Sequence, residues 1–207
     1  MNTGEKEQAL TLELLETIDQ RSDVTQRHFA DRLGVALGLT NSYLKRCVRK
    51  GLIKIHEAPA NRYLYYLTPK GFTEKSRLTA AYLSTSFNFY RRASLSCEHV
   101  FKQCKDKDMQ KVLLCGLSEL AEIASLRAKE QNIEIIGLLE RKTTIKDFIG
   151  LPVWTSMDLL PDFDVCVITD VKDPNGLLEY LYSHVAKDTV FIPDILGLNV
   201  ENNTDSV

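Results

Sequence analysis

The chain has 207 residues, 44% hydrophobic and 26% charged, with a formal net charge of −2; that length exceeds one ordinary domain and supports two modest cores. No apolar run reaches the roughly 18 residues of a membrane span and no basic stretch leads into an apolar one, so a soluble, cytoplasmic chain is expected, with no membrane partner. Residues 1–105 hold 17 Lys and Arg against 10 Asp and Glu, and residues 106–207 hold 9 against 18, a division that suits a nucleic-acid partner for the first half only.

Leu10, Leu14, Leu15 and Ile18 recur at helical spacing opposite Glu13, Glu16 and Asp19, predicting a first helix. Thr25 is placed to N-cap a second, with Phe29 and Leu33 inward, a small Ala30 that admits a close crossing, and Gly34 as its stop. A third helix is predicted from about Leu37 to Lys50, with Leu37, Thr40, Leu44 and Val48 inward and Asn41, Ser42, Lys45, Arg46 and Arg49 outward; Gly51 ends it. Ile53-Lys54-Ile55 and Tyr63 to Leu67 are β-rich runs joined by a turn around Pro59 to Arg62, the pattern of a hairpin. Helix-turn-helix followed by hairpin defines a winged helix, assigned to residues 1–71.

Lys45, Arg46, Arg49, Lys50, Lys54 and Arg62 gather on the third helix and the hairpin, where they suit phosphates flanking a major groove of double-stranded DNA. Base reading falls to Asn41, Ser42 and Lys45, while Asn61 and Arg62 at the wing tip suit the minor groove or a phosphate. The competing reading is a solvated basic face with a protein-binding hairpin.

From Phe72 to about Lys105 there is neither proline nor glycine, and Leu78, Tyr82, Phe89, Ala93 and Val100 keep a loose helical spacing. A long linking helix is expected over residues 72–108. Phe87, Phe89, Tyr90 and Arg91-Arg92 are more aromatic than a solvated helix needs, which points either to a homodimer contact or to packing within the chain.

Residues 109–200 read as a second domain. Lys111 to Gly116 is a short apolar strand, Glu119 to Lys129 a helix with Leu120, Ile123 and Ala124 on one face, and Ile133 to Leu139 a second strand ending at Glu140. Strands are also expected at Val153-Trp154, Asp164 to Thr169 and Thr189 to Ile192, with a helix from about Asn175 to His184. This alternation predicts an α/β fold whose second domain is a Rossmann-like parallel sheet with flanking helices. A nucleotide site in such a sheet needs a glycine turn at a helix N-terminus and an acidic residue after the second strand. Gly116 fills the first glycine position, Ser118 the second and Ala121 the third, with Leu117 and Glu119 completing the turn and Glu140 at the ribose position. Residues 201–207 are polar and are expected to be disordered.

Leu33-Gly34-Val35, Lys50-Gly51-Leu52-Ile53 and Leu67-Thr68-Pro69-Lys70-Gly71, in that order, resemble MarR-type winged-helix regulators, and most of all their exopolysaccharide-associated branch, over residues 5 to about 95. His28 departs from the pattern, which often carries Glu there. Cys115 to Ala124, Ile135 to Glu140 and Phe148 to Val153 resemble the Rossmann-like domain of sugar-nucleotide-modifying and CoA-binding proteins, over about residues 110–195. Together these resemblances imply a dimeric transcriptional regulator and, as effector, a nucleotide, dinucleotide or nucleotide-sugar.

No catalytic or metal constellation is found: His28, His56, His99 and His184 are scattered, and Asp162, Asp164, Asp170 and Asp173 read as solvated strand-end and loop residues. Five cysteines at irregular spacing suggest no disulfide framework. Cys47, Cys115 and Cys166 read as core residues, and Cys97 with Cys104 as either core residues or a redox pair. The sequence leads to a non-enzymatic DNA-binding regulator, the alternative being a winged helix whose second domain only dimerises or docks a protein.

Overall fold

The computed structural model describes residues 3–59 and 62–198. The expected disordered tail and Asn61 lie outside them. The chain forms two compact units, residues 1–87 and 88–207.

The first unit contains α1 (Thr3–Gln20), α2 (Gln26–Leu33), α3 (Leu37–Arg49), β1 (Ile53–Ala58), β2 (Arg62–Leu67) and the start of α4 (Pro69–Asp106). Thr25 caps α2 as its spacing predicts, its hydroxyl accepting the His28 N–H at 3.1 Å. With histidine at the third helical position the reciprocal half of a capping box is missing. Gly34 closes α2 in the left-handed conformation, φ 62°, and the Val35 N–H reaches back to the Ala30 carbonyl, so only three residues separate α2 from α3. Leu14, Leu15, Ile18, Val24, Phe29, Leu44, Cys47, Ile53, Tyr65 and Leu78 form the core. The Phe29 and Tyr65 rings meet edge to face at 5.3 Å, locking the hairpin onto α2.

In α3, Leu37 and Val48 do not turn inward as their spacing predicts. The buried line is Thr40, Leu44 and Cys47, whereas Leu37 is 45% and Val48 40% exposed. Thr40 tolerates burial because its hydroxyl donates to the Ala36 carbonyl at 3.3 Å.

The Thr68-Pro69-Lys70-Gly71 motif has a local cause. The Thr68 hydroxyl donates to the Gly51 carbonyl at 2.6 Å and accepts the Gly71 N–H at 3.0 Å, and the Thr68 N–H donates to the Leu52 carbonyl. This fastens the turn after α3 to the first turn of α4.

The second unit contains the remainder of α4, β3 (Lys111–Cys115), α5 (Glu119–Glu130), β4 (Glu134–Leu139), β5 (Asp147–Phe148), β6 (Leu151–Trp154), β7 (Val165–Ile168), α6 (Pro174–Tyr182) and β8 (Val190–Phe191). The sheet order is β5-β6-β4-β3-β7-β8, parallel throughout except for the β5–β6 hairpin. β7 is buried at every position and β3 at all but Lys111, as a sheet covered on both faces requires. Val112, Leu114, Val165 and Val167 share one core with α5 and with Ala93, Cys97, Phe101 and Cys104 of α4. Leu113, Cys115, Cys166 and Ile168 share the other with Leu177 and Leu181 of α6. α4 is therefore no free connector: Leu78 belongs to the first core and Ala93 to Cys104 to the second. Trp154, the single tryptophan, lays the edge of its ring against Gly137, where a Cβ would collide with it.

All five cysteines are free and buried. Burial pushes the Cys97 thiol up to about 12 and those of Cys104 and Cys47 to about 11, so Cys97 and Cys104 are core residues rather than an exposed redox pair. With a chromogenic disulfide reagent near pH 8 the native chain is expected to react slowly at every cysteine and the unfolded chain rapidly at five; a fast native phase would contradict this packing.

Asp164 accepts the backbone N–H groups of Lys111 and Gln110, each at 2.8 Å, clamping the starts of β7 and β3. These bonds, Lys111 foremost, hold its carboxyl below the usual carboxylate range. A carboxyl depressed by folding stabilises above its unfolded value, about 3.9, and loses that contribution as pH falls through its folded value. Asp164→Ala is expected to lower stability near pH 7 by about 1 kcal/mol or less, the group being exposed. In urea titrations the gap to the unsubstituted protein should close below about pH 4.

Candidate nucleic-acid interface and effector cleft

Gly38, Ser42, Lys45 and Arg49 follow each other at four- and three-residue steps along the exposed line of α3. Lys45, Arg49 and the wing residue Lys54 make no ion pair among the described residues. Arg62 at the start of β2 reaches the Pro59 carbonyl through Nε at 3.4 Å and is otherwise exposed.

Arg46 stands apart from that line. It pairs with Glu7 of α1 and lies over the Tyr43 ring, 5.3 Å from its centre, and the Glu7 carboxylate raises its pKa further. Asn41 is half-buried on the other flank, its amide oxygen enclosed without a hydrogen-bond partner. The Ser42 hydroxyl donates to the Gly38 carbonyl at 3.1 Å. Between α3 and the hairpin runs a groove of about 400 Å³, walled by Leu44, Val48, Ile55, Tyr63 and Tyr65 with Asn41, Lys45 and Arg49 at its edge. Val48, which the sequence pattern turns inward, is exposed and forms one part of this apolar wall.

In the second unit, Leu117, Ser118, Glu119 and Glu140 share a cleft of about 420 Å³ at the C-terminal ends of β3 and β4, with Glu122, Lys142 and Lys172 nearby. Gly116 is not part of its lining. Its backbone, φ 107°, packs against Asp170, where a Cβ would collide, so this glycine serves the contact between the β3 and β7 loops. The donors that would greet a phosphate are engaged. Leu117 N–H donates to the Glu140 carboxylate at 3.2 Å, and the Ser118 hydroxyl donates to the Thr169 carbonyl at 2.5 Å while accepting the Leu120 N–H. Among the described residues, no group of three His, Cys, Asp or Glu is arranged to hold a metal ion, and no helix is long and apolar enough to cross a membrane.

Three helices and a β-hairpin in this order make the first unit a winged helix-turn-helix domain. Residues 8–54 match the family described as winged helix-turn-helix DNA-binding. No curated protein matches the chain. Among solved structures it is similar to a MarR family transcription regulator, at 20% identity and a TM-score of 0.36 over 44% of this chain and 58% of that one. It is also similar to a DNA complex of S. aureus MepR, at 22% and 0.34 over 42% and 60%. The chain thus spans about three fifths of these regulators' length. A third likeness, human N-acetylserotonin methyltransferase in complex with SAM, has 12% identity and a TM-score of 0.36 over 91% of this chain and 76% of that one.

Proposed function

We propose that the chain is a dimeric transcriptional regulator whose winged helix binds operator DNA and whose Rossmann-like unit senses a nucleotide-type metabolite. The observation that carries DNA binding is the exposed line of Lys45 and Arg49 on α3, beside Lys54 and Arg62 of the wing, all outside any ion pair among the described residues. Cations so placed neutralise phosphates and release counterions, and base reading falls to Asn41, Ser42 and Lys45. A homodimer is supported by the aromatic band on α4, where Tyr82 is 61%, Phe87 56% and Phe89 44% exposed, more apolar surface than a solvated helix carries. The resemblance to the exopolysaccharide-associated branch makes surface-polysaccharide genes the first set to examine. DNA binding is tested by fluorescence anisotropy of the full chain on random and genomic duplexes across a salt series. A steep fall in affinity with salt is expected, and absence of duplex binding at low salt would overturn the reading.

The effector cleft sits where open α/β sheets take ligands. For a phosphate to use the Leu117 N–H, Glu140 must release it; Glu140 is equally placed to accept ribose hydroxyls. That occupied turn also favours a second reading, in which the unit only dimerises or docks a protein. Thermal unfolding against NAD(H), CoA and nucleotide-sugars separates the two. A ligand at 100 times its Kd adds about 2.7 kcal/mol of stability; Glu140→Ala should weaken that effect where ribose hydroxyls meet the carboxylate and strengthen it where a phosphate takes the freed Leu117 N–H. No shift across the panel would leave only the structural role.

A further inference from the structure

Within α3, Gly38 has no role in the structure of the chain by itself. It is helical, is not among the glycines with positive φ, and a Cβ built on it meets no atom within 4 Å. Apart from Gly4 near the start of α1, every other glycine either adopts a left-handed conformation or is crowded by a neighbour. Alanine at position 38 would favour the helix, since glycine weakens it by up to about 1 kcal/mol, so an advantage for glycine has to arise outside the folded monomer.

Its surroundings indicate where. Gly38 begins the exposed line that continues through Ser42, Lys45 and Arg49. Ser42, bonded back to the Gly38 carbonyl, lies flat and keeps the surface low. Leu37 and Leu39, 45% and 46% exposed, project on either side, being 100° around the helix in opposite senses. The first turn is a notch: bare backbone between two apolar shoulders, with cations on the later turns.

We propose that Leu37-Gly38-Leu39 is the part of α3 that meets base edges most closely, Gly38 letting the backbone sink into the major groove and the two leucines resting on thymine methyl groups. The inference rests on the DNA-binding reading and adds to it a base-contact set different from Asn41, Ser42 and Lys45. Thymine alone presents a methyl group in the major groove, so apolar shoulders discriminate where charged ones do not.

The test uses the full chain and duplexes selected by it from a randomised pool, with affinities read by competition anisotropy. Replacing thymines singly by deoxyuridine, which lacks only the methyl, should weaken binding about fourfold at one or more positions. A Leu37→Ser, Leu39→Ser variant should bind the thymine and deoxyuridine duplexes alike. Gly38→Ala should melt no lower than the unsubstituted protein and bind about tenfold more weakly. Unchanged affinity of Gly38→Ala, or indifference to every methyl, would overturn the notch while leaving DNA binding intact. If no duplex is selected at all, the notch and the DNA-binding reading fail together.

Discussion

Replacing Gly71 by alanine is expected to destabilise the winged helix by about 3 kcal/mol, a large part of an ordinary domain's 5 to 15 kcal/mol. A Cβ there would run into the Leu52 carbonyl oxygen, which already accepts the Thr68 N–H at 3.0 Å. The obstacle is backbone, so no rotamer change relieves it. Either α4 moves away and the Thr68 bonds to Gly51 and Leu52 lengthen, or the turn after α3 shifts. Either change loosens the turn that joins α3 to the hairpin, so duplex binding should decline with stability. Urea titration followed by circular dichroism reads the effect; a midpoint equal to that of the unsubstituted chain would show that the turn has slack.

Lys45→Ala combined with Arg49→Ala is expected to weaken duplex binding by about a hundredfold or more and to reduce the slope of log affinity against log salt by about two. Both side chains are exposed on the same line of α3, and neither forms an ion pair among the described residues that the substitution would break. Stability should therefore change by no more than about 0.5 kcal/mol, as at ordinary surface sites. Affinity and salt slope unaltered in the double variant would mean that this face is not the one DNA meets. Arg46→Ala is a useful contrast, because it removes a contact to Glu7 and Tyr43 and should act on stability before it acts on DNA.

Much of this architecture was legible in the residues. Thr25 and Gly34 bound α2, Gly51 stops α3, and the apolar runs at Lys111, Ile133 and Val165 become neighbouring strands because buried parallel strands tolerate no alternation. The facing of α3 was legible in part. Thr40 and Leu44 face inward as the pattern predicts, the Thr40 hydroxyl satisfying itself on Ala36, but Cys47 rather than Leu37 and Val48 completes the buried line, where hydrophobicity alone prefers the two larger side chains. The short strand β5 was also missed, because its two-residue turn uses Ile149 and Gly150, both at positive φ, where Asn-Gly is the usual signal.

In the second unit, sequence located the turn, the start of the helix and the acid, and the structure adds that Ser118, at the second glycine position, caps α5. It did not show that Glu140 reaches the Leu117 N–H or that Gly116 is required by Asp170. Those are contacts between loops more than 20 residues apart, set by which strands are adjacent, and spacing along the chain does not encode them.

The lone indole of Trp154, seated on Gly137, gives the two units different optical signatures. Excitation beyond the tyrosine band reaches only Trp154 and so only residues 88–207, whereas five of the eight tyrosines, Tyr43, Tyr63, Tyr65, Tyr66 and Tyr82, lie in residues 1–87. A melt followed through Trp154 alone therefore reports the second unit, and its midpoint set against that of the whole chain by circular dichroism would reveal whether the units come apart as one cooperative structure or in succession, without any added label.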